Sequence, residues 1–355
     1  MIDYKLRQTG RASLDFLSAF GPAIASMQKH QQDALTKAGL TDDAKLADDM
    51  DERSEQIESI LANEPAFRTS NMMGEWHAEH HARLAAEAFA EIEADIQSTF
   101  ELLKQGKTTL SVNPDLTPDK YWRYPIHRTT GGWDGHPHMG FIHGELIHRY
   151  VVGKSTRPPA AGSSSADIYT QRKQFAEQAP RRDYKKILEI GCSSGPFTLK
   201  LAEVFPNAEI HALDISVAQL EQAQRNGNNM GHAWKLFQAD ARDTKLPAAS
   251  YDIVTSFIVL HELPVDVIGD ILRESFRLLT PGGDLMFGDV APYSAMNKLN
   301  AWRTDYIAKF GGEPFWRGSS TMDMVGLMKS IGFVDVKYYG VAPINYPWVT
   351  YGRKP

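Results

Sequence analysis

The sequence predicts the α/β class: a doubly wound, mainly parallel sheet of seven strands preceded by a mainly helical N-terminal domain. Two observations carry this. In the second half, short β-branched runs alternate with amphipathic segments, the pattern that a parallel sheet covered on both faces requires. In the first half, long runs rich in Ala, Glu, Leu and Gln read as helix from residue 11 to about 106. We divide the chain into 1–175, a lid, dimerisation or substrate domain with a His- and Trp-rich loop, and 176–355, the sheet domain.

The predicted strands are Ile187–Ile190, Glu209–Leu213, Ala233–Phe237, Asp252–Phe257, Asp284–Phe287, Val334–Tyr339 and Trp348–Tyr351. Between them, Phe197–Phe205 places Leu201, Val204 and Phe205 at helical spacing, Ser216 is suited to cap a helix through Gln224, and Val265–Leu279 forms a third helix. Pro281, Gly282 and Gly283 are expected to stop that helix and turn into the next strand. The sheet is therefore Rossmann-like.

The run Ile187–Gly195, ILEIGCSSG, leads from the first of these strands through a glycine-bracketed turn into a helix. Such a turn lets backbone N–H groups approach a ligand closely. Asp214 ends the next strand roughly 20 residues on, where a carboxylate accepts from both ribose hydroxyls. Asp240 ends the third strand, placed to accept from an adenine amine, with Ala241 beside it against the ring. Each acid alone is an ordinary turn residue; together they fit a nucleoside. No G-x-G-x-x-G is present, so a dinucleotide fits less well.

These residues resemble a class I S-adenosylmethionine-dependent methyltransferase of the small-molecule type. The match covers about 180–355: the E-x-G-x-x-x-G turn of Glu189, Gly191 and Gly195, Asp214, Asp240, the segment Phe257–Leu263, the Pro281-Gly282-Gly283 turn and the closing Trp348–Pro355 segment. Ser193 stands where the family has its middle glycine. The resemblance implies that S-adenosyl-L-methionine is the cofactor, with Glu189, Gly191, Ser193 and Gly195 at its methionine end, Asp214 and Ile215 at the ribose, and Asp240, Ala241 and Phe257 around the nucleoside. It also implies a lid over the site.

His261, just after the fourth strand, lies at the carboxyl edge where ligands bind in such sheets. Its segment is similar to the L-H-D-W region of small-molecule O-methyltransferases, in which the His is the general base; Glu262 replaces the Asp here. An imidazole accepts a proton near neutral pH, so His261 is the candidate catalytic base for an oxygen acceptor; the other reading makes it part of the pocket wall. Cys192, the single cysteine, reads as a small residue packed beneath the cofactor, and a reducing, cytoplasmic setting is expected.

Eight of the twelve histidines lie between His77 and His148. His77 and His81 share a helix face, and Glu145 with His148 has a spacing used by metal-binding bundles. No complete ligand signature results, so no metal is expected; metal-assisted C-, N- or S-methylation remains the alternative reaction, and a cofactor-binding protein without transfer activity the alternative class. His136, His138 and Trp133, in a Gly-rich loop, are candidate substrate contacts, as are Trp302, Arg303 and Tyr306 in an insertion after the fifth strand expected over the acceptor site. Gly153–Ala166 reads as a linker.

The 355 residues carry a net charge of −6, with 42% hydrophobic and 23% charged residues. That charge argues against nucleic acid and for a small-molecule substrate. No run approaches the roughly 18 apolar residues of a membrane span, and Phe16–Met27, broken by Gly21 and Pro22, makes a poor signal peptide. A homodimer is one use of the helical N-terminal domain.

Overall fold

The computed structural model describes residues 2–117, 119–154 and 168–355. The sheet strands are β1 (Thr109–Ser111), β2 (Lys186–Ile190), β3 (Glu209–Asp214), β4 (Lys235–Gln238), β5 (Tyr251–Phe257), β6 (Leu279–Asp289), β7 (Val334–Gly340) and β8 (Trp348–Arg353). Their order is β1-β4-β3-β2-β5-β6-β8-β7, with β8 antiparallel to both of its neighbours and the other pairs parallel. The doubly wound fold holds, but the sheet has eight strands rather than seven. The extra one, β1, comes from the N-terminal region and pairs Thr109–Ser111 with Lys235–Phe237. Three residues were too short a run to register as a strand; they become one because β4 offers an open edge.

In the first half, α1 (Gln8–Ala38), α2 (Met50–Leu61), α3 (Pro65–Ala90) and α4 (Glu93–Leu103) form the helical region. α1 passes through Gly21 and Pro22 without interruption, within the stretch expected to be helical. Leu14 and Leu17 of α1 are buried with Ala85, Ala88 and Phe89 of α3, so tertiary packing offsets the hydrogen bond that Pro22 lacks. The chain then runs through short turns into α5 (Met139–Phe141), which continues as a π-helix over Ile142–Val152. Of the expected linker, residues 155–166 lie outside the described residues. No described helix is long and apolar enough to cross a membrane.

Helices α6 (Ile168–Ala176), α7 (Pro196–Val204) and α8 (Val217–Asn229) cover one face of the sheet, where Phe175, Phe197, Leu201 and Leu220 pack on Ile187 and Ile253. α9 (Val265–Leu278) and α12 (Met324–Ile331) cover the other, burying Ile268, Leu272 and Met328 against Leu188, Val254 and Leu285. Between these last two lie α10 (Lys298–Gly311) and α11 (Trp316–Thr321). Ser216 caps α8 as expected, accepting from the Gln219 N–H. The Pro281-Gly282-Gly283 turn lies within β6: Leu279 pairs with Tyr251 and Asp284 with Ile253, so the residues between them bulge, and Gly282 takes φ +75°.

Candidate functional site

At the carboxyl ends of β2, β3, β4, β5 and β6 the structure holds a cavity of about 680 Å³, large enough for a nucleoside and a second small molecule. Its floor is the glycine turn. Gly191 has φ +68°, and a Cβ there would come within 2.7 Å of the Val259 side chain, so only glycine fits. Ser193 sits at φ +50°, the left-handed region in which a glycine is at ease, and its hydroxyl donates to the Gln219 side-chain oxygen at 3.1 Å. Gly195 does not line the cavity; it caps α7 at φ +84° with Trp234 directly behind it.

Two carboxylic acids, the buried Glu189 and the half-buried Asp214, face this floor. Burial raises Glu189 to about 8 despite a 2.6 Å hydrogen bond from Thr198 and the nearby Arg172 charge. Burial also raises Asp214, to about 6, although its oxygens accept from the Ser193 N–H at 2.8 Å and the Ser216 N–H at 3.0 Å. Asp240 lines the cavity too, but both of its oxygens already accept from the Arg242 guanidinium, at 2.6–3.0 Å. Ile215, Ala241 and Phe257 complete this end, and Cys192 is buried, its thiol pushed up by burial and so kept protonated.

The opposite wall carries His261. Its Nδ1 lies 2.7 Å from Asp289 Oδ1, and its ring meets Trp316 edge to face at 4.6 Å. Asp289 is fixed at the end of β6 by the N–H groups of Val259, Leu260 and Val290. Burial alone would lower the imidazole; the Asp289 charge and hydrogen bond raise it to about 9. A dyad of this kind fixes Nδ1 as the protonated nitrogen and leaves Nε2 as the one that exchanges a proton.

Comparison with known proteins agrees with this geometry. A family model described as a methyltransferase domain matches residues 187–283, from the glycine turn to the β6 bulge. The chain is 33% identical over 132 residues to the malonyl-[acyl-carrier protein] O-methyltransferase of Legionella pneumophila, covering 37% of this chain and 44% of that protein. It is 30% identical over 177 residues to the enzyme of the same name from a Paenibacillus species, covering 46% and 62%. Residues 187–283 match a methyltransferase domain, and these relatives support a class I S-adenosylmethionine-dependent methyltransferase. The chain spans about half the length of these curated relatives. A solved structure of a provisionally assigned O-methyltransferase from Nostoc punctiforme is similar over 94% of this chain and 98% of that one, with a TM-score of 0.50 and 15% identity, a likeness of fold.

Methyltransferase domains of this class use S-adenosyl-L-methionine, and the residues present fit it. Glu189 and Asp214 are acids held above the ordinary carboxylate range, so a ligand carrying cationic and hydroxyl groups satisfies both. The Gln219 side-chain N–H₂ is buried without a partner beside Ser193. Asp240 faces the same end but shares its lone pairs with Arg242.

Of the proposed acceptor contacts, only Trp133 lines the cavity. His136 and His138 instead pack against Phe89, and His138 also against Phe100, in the helical core. The insertion does cover the site, but with the other face of α10. Thr304, Ile307, Ala308 and Gly311, at helical spacing, line the cavity. Trp302 is buried with Leu35, Ile57 and Leu61, Arg303 donates to Gln32 at 2.5 Å, and the Tyr306 hydroxyl accepts from Asn71 at 2.6 Å. Aromatic content marked the insertion as important; its large side chains dock the helical domain.

The histidine spacings resolve differently as well. His77 and His81 stack at 5.6 Å, and His81 Nδ1 lies 3.0 Å from the Ala78 carbonyl oxygen on its own helix. Glu145 accepts from Arg149 at 2.7 Å, and the π-helix pairs His148 with His143, five residues earlier, at a ring distance of 4.0 Å. Among the described residues no three His, Cys, Asp or Glu side chains gather as metal ligands would.

Sequence reasoning missed a second charged group in the acceptor wall. His127, in the left-handed region at φ +53°, places Nδ1 2.5 Å from Glu313 and Nε2 3.5 Å from Glu262. Burial opposes the charge on this ring, but the two carboxylates raise it to about 10. Its N–H donates to the Gly312 carbonyl at 3.2 Å, so this cluster ties the N-terminal loop to the insertion. No local pattern links positions so far apart in sequence. Asp289 was more legible, since it ends a strand at the carboxyl edge as Asp214 does.

Proposed function

We propose that this chain transfers a methyl group from S-adenosyl-L-methionine to an oxygen of a small, largely apolar acceptor, with His261 as general base. The observation that carries this reading is the His261–Asp289 pair, 2.7 Å apart, in the wall of the cavity that also holds Glu189 and Asp214. When bound, the cofactor supplies an electrophilic methyl group on a sulfonium. Trp133, Trp316, Ile307 and Met296 bound the acceptor space and exclude water from it, which favours neutralisation of an oxyanion against a sulfonium. His261 Nε2 takes the proton of the acceptor hydroxyl, while Asp289 holds the ring and stabilises the resulting imidazolium. Glu189 and the turn backbone hold the methionine end, and Asp214 orients the ribose. The names of the relatives above, which act at oxygen, support the same reading.

The test is the pH dependence of His261→Ala against the wild-type protein. As a base, His261 must be neutral, and with a value of about 9 it is protonated below that pH. Wild-type kcat/KM should therefore rise with pH until about 9 and level off, and His261→Ala should lack that inflection. An unchanged pH profile in the variant would make His261 part of the wall.

A further inference from the structure

We propose that Glu313 and Trp316 form a hydroxyl-recognition site beside His261, so that the acceptor carries a second hydroxyl next to the one that is methylated. The proposal rests on the oxygen-acceptor reading above. Glu313 is buried and lines the cavity; one carboxylate oxygen contacts His127, and the other is buried with no hydrogen-bond partner. Trp316 lines the same cavity one turn further on, and its indole N–H is also buried with no partner. One unmet acceptor and one unmet donor thus stand on a single short turn, closed by the Trp316 backbone N–H donating to the Glu313 backbone carbonyl at 3.4 Å.

The chemistry of the missing group follows from that pair. A carboxylate only accepts, and an indole N–H only donates. An ammonium would satisfy Glu313 but face the indole N–H with a second donor. A ligand carboxylate would accept from Trp316 but be repelled by Glu313. A hydroxyl donates to the one and accepts from the other.

Its position follows from packing. The Trp316 ring lies 4.6 Å from the His261 ring, edge to face, so a hydroxyl held by Trp316 would lie close to the one that His261 deprotonates. His127 contacts one Glu313 oxygen at 2.5 Å, and Trp133 meets His127 edge to face at 5.9 Å. Trp133, Trp316 and His127 all line the cavity, aromatic surfaces that suit a flat ring with vicinal hydroxyls.

The experiment is a binding titration of protein saturated with S-adenosylhomocysteine, using naphthol and a naphthalene with two adjacent hydroxyls as probes. Wild-type protein should bind the diol at least tenfold more tightly than the mono-ol. Glu313→Gln and Trp316→Phe should each lose most of that preference while binding S-adenosylhomocysteine as wild type does, which shows that they are folded. Equal affinity for the two probes, no binding of either, or a preference that survives both substitutions overturns the proposal. His261→Ala separates the two readings: a variant that keeps the diol preference but loses methyl transfer supports both. If it turns over normally with the preference intact, the base assignment fails and the hydroxyl site stands.

Discussion

The two ends of the cavity are built on different terms. The proposed cofactor end comes mainly from one stretch, Glu189 to Ala241, in which the acids sit at the end of a strand or just after it. The acceptor end is assembled from His127 and Trp133 in the N-terminal loops, the His261 turn, Asp289, and the insertion from Met296 to Trp316. Groups fixed by a sheet edge are placed by backbone hydrogen bonds, whereas groups gathered from remote loops are placed by one another. The titratable groups show the difference: Glu189 and Asp214 are raised by burial, while His127 and His261 are raised by carboxylates of this chain.

The largest effect should come from the acceptor end. His261→Ala is expected to lower kcat by roughly 10² to 10⁴ with cofactor affinity nearly intact, since a base acts on the acceptor's proton and not on the cofactor. The deficit should shrink as pH rises toward the acceptor's own pKa. Loss of cofactor affinity by a similar factor, measured by calorimetry, would break the division between the two ends.

Next, Asp214→Ala should weaken cofactor binding by about 2 to 3 kcal/mol, the size of a pair of hydrogen bonds to a charged group. In the wild-type protein the same group predicts an acid limb. Asp214 is raised to about 6, so affinity for S-adenosylhomocysteine should fall as pH drops through that value and the acceptor lone pairs are lost to a proton. Affinity constant down to pH 4.5 would remove Asp214 from the ribose contact.

A smaller signature belongs to Glu189. With a value of about 8, it is mostly protonated at pH 7 in the free protein. A cationic methionine end favours the ionised form, so binding S-adenosyl-L-methionine at pH 7 should release up to about one proton. Calorimetry in buffers of different ionisation heat reads this directly, and Glu189→Gln should abolish the release.

The smallest effect sharpens the comparison from outside. Arg303 bonds to Gln32 and lies away from the cavity, so Arg303→Ala should cost about 1 kcal/mol of stability and leave kcat and KM within about twofold. A large rise in KM would bring Arg303 back to the acceptor site.

What the sequence determined by itself is the sheet half: the alternation of strands and helices, the glycine turn, and the acids Glu189 and Asp214, because strand period, turn chemistry and ligand contact coincide within a few residues of each other there. His261 was legible for the same reason, as a histidine immediately beyond a strand's carboxyl end. The helical character of the first half was legible too, though not its use. Only the tertiary structure decided that Trp302, Arg303 and Tyr306 turn toward α1–α3 while Ile307 and Ala308 meet the cavity, since a helix packed on both sides gives no sequence sign of which partner each face takes. It alone placed His148 against His143 through a π-helical turn and closed His127 onto Glu313 across 185 intervening positions. Contacts between remote segments depend on how layers stack, and stacking is written in no single stretch of chain.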